Sequence, residues 1–129
     1  MSDVSYGRIR GVRAVLKRLE LDPDPSTLPG DPSAFAFLVR MIVGQPDTPA
    51  EEYFDLTVCS PEWLAKTCRE LGGIYNPRHH LVVSVEDFDV RAVRAWLAAR
   101  VREVEGDTWA EIGERVGRVG YWEFEDYRA

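Results

Sequence analysis

The sequence predicts an α+β fold: an antiparallel-rich sheet with helices packed mainly on one face, in the order (β)ββαβαα. Three observations carry this. "AFAFLVRMIVG" (34–44) reads as a strand apolar on both faces, hence central in a sheet. "EYFDLTVCS" (52–60) alternates, with Phe54, Leu56 and Val58 on one face and Tyr53, Asp55, Thr57 and Cys59 on the other, the pattern of a half-exposed strand. The strands and helices that follow do not strictly alternate.

Taken in order, "VRAVLKRLEL" (12–21) is open between helix and strand. Val12, Val15, Leu16 and Leu19 have helical spacing, while Val15, Lys17, Leu19 and Leu21 alternate. "DPDPSTLPGDPS" (22–33) is a loop, because its prolines and glycine forbid a continuous ladder. The strands at 34–44 and 52–60 form a hairpin across a connection marked by Gly44, Pro46 and Pro49. Ser60-Pro61 starts a helix, with serine as N-cap and proline at the first helical position. Trp63 or Leu64, Cys68 and Leu71 share its face, and Gly72-Gly73 ends it. "HHLVVSV" (79–85) is a further strand. Val90, Val93, Leu97, Val101 and Val104 then mark a helix that stops by Gly106. Thr108 with Glu111 three residues on is a capping box for a short helix striped by Trp109, Ile112 and Val116. The tail "WEFEDY" (122–127) reads as a clasp, aromatics inward and carboxylates in water.

The 129 residues fit one domain, 1–129, with residues 1–11 as a loosely attached extension. The formal net charge of −6 argues against a general nucleic-acid binder, which needs a basic stripe to displace phosphate counterions. No apolar run approaches a membrane span, and the N-terminus has no stretch of signal-peptide type. A cytoplasmic protein is expected, with no membrane or nucleic-acid partner and no cofactor, and most simply a monomer. Cys59 and Cys68 stand nine positions apart, neither CxxC nor a zinc spacing. Two buried, reduced thiols are expected.

Chemistry is sparse. His79 and His80 are adjacent at a strand start and should point to opposite faces, so they do not easily share a metal. No serine lies in GxSxG, and no glycine loop suits a phosphate. Acids are more informative. Residues 19–62 hold nine acids and one base, Arg40. Within them "QPDTPAEEYFD" (45–55) joins two strands and should be exposed. Asp47, Glu51, Glu52, Tyr53 and Asp55 make an acidic patch with an aromatic anchor, suited to a basic protein partner. Reversing Asp47, Glu51 and Glu52 to lysine should weaken such binding without unfolding the chain.

"GDTWAEIGERVGRVGYWEFEDY" (106–127), "FDLTVCSPEWLA" (54–65), "FAFLVRMIVG" (35–44) and "HHLVVS" (79–84) together resemble the bacterial immunity protein 8 family. The resemblance implies an α+β fold, a strand at 12–21, and an antitoxin that binds the toxin domain of a polymorphic toxin system. The residues matching the family's motif are Trp109, Trp122, Glu123, Phe124 and Asp126, with Trp63 following the Ser-Pro cap. Their expected role is structural, and the acidic loop is the expected toxin contact. Two other readings stand beside this one. One is a non-catalytic adaptor. The other is a small hydrolase using His79 or His80 with a carboxylate, which requires the two to converge in one pocket.

Overall fold

The computed structural model of the protein describes residues 11–24 and 33–122. Among them the strands are β1 (Val15–Asp22), β2 (Ala36–Gly44), β3 (Glu52–Cys59), β4 (His80–Val82) and β5 (Tyr121–Trp122). The helices are α1 (Pro61–Glu70) after β3, and α2 (Val90–Glu103) and α3 (Trp109–Val116) between β4 and β5. The sheet runs β1-β2-β3-β4, and β5 also pairs with β3. The β1–β2, β2–β3 and β3–β5 pairs are antiparallel, and β3–β4 is parallel. The fold is therefore α+β, with β2 and β3 as the expected central hairpin.

One face of this sheet makes the core. Phe37, Val39, Met41 and Val43 of β2 and Phe54, Leu56 and Val58 of β3 are buried there. Val93, Leu97 and Val101 of α2 and Ile112 and Val116 of α3 cover them. Each such side chain contributes roughly 1.5–3 kcal/mol on burial, so neither helix is dispensable. α1 is different: none of its residues is buried. It forms the crossover that a parallel pair such as β3–β4 requires, and its Trp63 ring lies 6.1 Å from the His80 ring of β4.

Residues 15–22 are a strand, and the double reading of 12–21 has a physical cause. The register shifts between Leu16, opposite Val43, and Arg18, opposite Ile42. This β-bulge leaves Lys17 out of the pairing. Leu16, Leu19 and Leu21 can then all pack on the core, which a regular alternation would forbid.

The strand expected at 79–85 is shorter. His79 precedes β4 with a φ of 56°, and β3 turns into the Ser60 cap after Cys59. The last rung is the Val83 amide donating to the Cys59 carbonyl at 2.9 Å. With no partner backbone beyond it, the chain enters a 3₁₀ turn at Val85–Asp87. Phe88 then stacks on Phe37 at 5.3 Å, which fixes the approach to α2.

The helix caps match the sequence reading. The Trp63 amide donates to Ser60 Oγ at 3.2 Å. The Glu111 amide donates to Thr108 Oγ1 at 3.2 Å, and the Asp107 amide donates to Glu111 Oε1 at 2.7 Å. Gly72 and Gly73 have φ of 85° and 96°, left-handed values that end α1. α2 ends at Glu103, before Gly106, with Val104 already extended.

A candidate partner-binding face

Strand alternation assigns the other sheet face, and the registers arrange it in rows. Arg18, Ile42 and Tyr53 form one row. Glu20, Arg40, Asp55 and Tyr121 form the next. Asp22, Leu38, Thr57 and His80 form the third. α2 and α3 lie on the opposite side of the sheet, so most of this face is at least partly exposed, with Ile42 fully buried within it and Trp63 of α1 beside His80. Leu38 is 53% exposed and Tyr121 39%.

Arg40 organises the centre. Its Nε and Nη2 donate to Asp55 Oδ1 and Oδ2 at 2.8 and 3.0 Å. The guanidinium also lies 4.9 Å from the centroid of the Tyr53 ring. The hydrogen bonds to Asp55 hold the guanidinium above its ordinary pKa. Both side chains are partly solvated, so the pair is worth at most about 1 kcal/mol. Its larger consequence is order, a fixed fork on a flat surface. Arg40 was absent from the sequence-derived site. The available signal was its isolation as the one base between residues 19 and 62.

Beside this centre Leu38, Asp55, Thr57, Arg78, His79 and Tyr121 line an open cleft of about 320 Å³. The His79 ring meets Tyr121 edge-on at 5.9 Å, and its Nε2 bonds the Gly117 carbonyl at 2.8 Å. His80 bonds the Arg78 carbonyl through Nδ1 at 2.7 Å and the Tyr75 hydroxyl through Nε2 at 2.9 Å. The alternation expected of two adjacent strand histidines does not apply, because His79 has left-handed backbone and stands before the strand. His79 and Asp55 do converge on one cleft. Both Asp55 oxygens accept from Arg40, however, and His79 Nε2 is engaged by a carbonyl. Among the described residues no group of three or more His, Cys, Asp or Glu side chains is placed to hold a metal.

The acidic stretch divides by environment. Asp47 is exposed in the β2–β3 turn with a φ of 67°. The turn is braced by Lys17, whose ammonium donates to the Thr48 carbonyl. Glu51 accepts from Arg18 at 2.7 and 3.3 Å. That hydrogen bond holds the Glu51 carboxyl below the usual carboxylate range, so the contact persists at neutral pH and is lost as pH falls through that depressed value. Tyr53 and Asp55 lie on the open face with Arg40. Glu52 belongs to the core-side series of Phe54, Leu56 and Val58, at its rim. Its carboxylate accepts the indole N–H of Trp109 through Oε2 and that of Trp122 through Oε1, the latter at 3.1 Å. Charge reversal at Glu52 would therefore break these two bonds, so the expectation of an intact fold does not extend to Glu52.

Trp122 is the described part of the expected C-terminal clasp, and it does face inward. Its ring stacks on Phe54 with centroids 6.0 Å apart and packs against Gly113 of α3. Glu123, Phe124 and Asp126 lie outside the described residues. Both cysteines are free thiols; Cys59 is buried and Cys68 only partly so. Burial pushes the Cys59 thiol up and keeps it neutral. A disulfide reagent should label Cys68 first in the native protein, and Cys59 only on unfolding; equal rates would contradict this packing.

No helix among the described residues is long and apolar enough to cross a membrane. No curated protein and no solved structure matches the chain. A family model does: that of immunity protein 8, over residues 14–127. That span takes in all five strands and the three helices, the open face and the Glu52–tryptophan contacts. The chain thus belongs to the immunity protein 8 family, a family of toxin-neutralising immunity proteins.

Proposed function

We propose that this protein neutralises a cognate toxin domain in the cytoplasm by binding it and occluding its working surface, with no chemistry of its own. The observation that carries the docking surface is the sheet face opposite α2 and α3. Its partly exposed Leu38, Tyr53 and Tyr121 surround the ordered Arg40–Asp55 fork. Protein interfaces favour this mixture of tyrosine, arginine and aliphatic side chains. Asp47 and Glu51 stand at the rim of the same face, on the adjoining turn. Glu52 is left out of the contact set because both its oxygens already accept indole protons.

Electrostatics then act mainly on the encounter. Glu51 and Asp55 are neutralised by Arg18 and Arg40. The net charge of −6 and Asp47 remain to draw in a basic partner.

The test is a binding titration against the toxin domain encoded beside the gene, at low and high salt. Tyr53→Ala and Leu38→Asp should each weaken affinity by about tenfold or more while leaving the thermal midpoint nearly unchanged. Asp47→Lys with Glu51→Lys should slow association, most clearly at low salt. Unchanged affinity in all of these variants would move the interface to another surface. A wild-type protein that binds no toxin would reopen the adaptor reading.

A further inference from the structure

Glu52 sits where three parts of the molecule meet. It is the first residue of β3, directly after the turn bearing Asp47 and Glu51. Trp109 is the first residue of α3, and Trp122 belongs to β5. One carboxylate thus takes a separate indole proton on each oxygen, from two consecutive elements that both lie far from it in the sequence. Such charge-assisted bonds are about twice as strong as neutral ones. Asymmetry matters too: an indole N–H has no acceptor capacity and loses its bond outright if the carboxylate is removed.

The position of this contact bears on the open face. Trp122 follows Tyr121, which stands in the row of Asp55 and Arg40. Tyr53 follows Glu52 and lies under Arg40. In β-strands, fixing one residue on the core side fixes its neighbour on the other side. Holding Glu52 and Trp122 together on the core side therefore sets Tyr53 and Tyr121 on the outer one.

We infer that Glu52 is a positioning residue for toxin binding: through the indoles of Trp109 and Trp122 it sets the geometry of the docking face without touching the toxin. This rests on the immunity reading and on the open face as the interface. Four variants, Glu52→Ala, Glu52→Gln, Trp122→Phe and the double Glu52→Ala/Trp122→Phe, are titrated with the toxin domain well below their unfolding midpoints. Tryptophan emission is recorded on the free proteins. Trp122→Phe keeps an aromatic ring beside Phe54 but removes the indole N–H together with part of the ring.

Glu52→Ala should bind about tenfold more weakly, with faster dissociation and shifted emission. Glu52→Gln, which retains one acceptor oxygen, should recover much of both. The double variant should bind little worse than Glu52→Ala, because both changes break the same Glu52–Trp122 bond. Folded Glu52→Ala binding as tightly as wild type would reduce the carboxylate to a stabilising role and overturn the inference. So would a Glu52→Gln loss as large as that of alanine with emission unchanged, since that marks direct contact with a basic toxin residue. Wild-type protein that fails to bind would overturn the immunity reading, and this inference with it.

Discussion

Ser60→Ala is expected to destabilise the protein by about 1.5–5 kcal/mol. Ser60 is fully buried, with no exposed area. Its hydroxyl accepts from the Phe35 amide at 3.1 Å and the Trp63 amide at 3.2 Å, and donates to the Ser33 carbonyl at 2.7 Å. Alanine removes the helix cap, worth about 0.5–2 kcal/mol. It also removes the acceptor of the buried Phe35 amide, which costs roughly 1–3 kcal/mol more. Against a total stability of about 5–15 kcal/mol this is a large fraction. Urea unfolding of the alanine and glycine variants separates the two parts. Glycine keeps most of the capping preference, so equal losses would assign the effect to Phe35 and Ser33. A loss under about 0.5 kcal/mol for alanine would mean that water replaces the hydroxyl.

Gly113→Ala is expected to destabilise by about 1–3 kcal/mol, although glycine-to-alanine changes inside exposed helices stabilise by about 1 kcal/mol. The sign reverses because a Cβ at Gly113 would lie 2.6, 2.7 and 2.9 Å from three atoms of the Trp122 ring. That ring is a rigid plane stacked on Phe54 behind it, so it cannot withdraw without shifting β5 or α3. Thermal unfolding of Gly113→Ala gives the cost. Combining it with Trp122→Phe, a smaller ring, should recover part of the loss. A stabilised Gly113→Ala would show that Trp122 has room to move.

Much of this fold was legible because the determinants are local. The caps at Ser60 and Thr108 are read from residues within four positions, and the β2–β3 hairpin from two apolar patterns with a turn between them. Elements set by distant partners were less legible. The length of β4 depends on where β3 runs out of free backbone. β5 has two residues, too few for a period. The bulge at Lys17 erased the alternation of β1 while preserving its burial.

The candidate site divides in the same way. Alternation placed Tyr53 and Asp55 on the face away from the core. The same alternation extends back to Glu52, which falls with Phe54, Leu56 and Val58, but the negative charge of the stretch put Glu52 in the binding set instead. Arg18, Arg40 and Tyr121 entered only with the register, which joins residues whose sequence neighbourhoods do not mention one another. The immunity role came from family resemblance, since no single residue pattern in the chain names a toxin.

The contacts of Glu52 also set an order of events in synthesis. Its bond to Trp109 joins residues 57 apart in the chain, and its bond to Trp122 residues 70 apart. A ribosome that has released β1 to β3 holds a sheet whose third strand has an open edge and whose key carboxylate has neither partner. Pairings this non-local form late and fold on the scale of milliseconds to seconds. The contacts that set Tyr53 and Tyr121 on the outer sheet face are therefore complete only after Trp122 has emerged, and the interval before that is governed by translation. For a chain that guards against a poison, that interval sets how far ahead of the threat its own production must run.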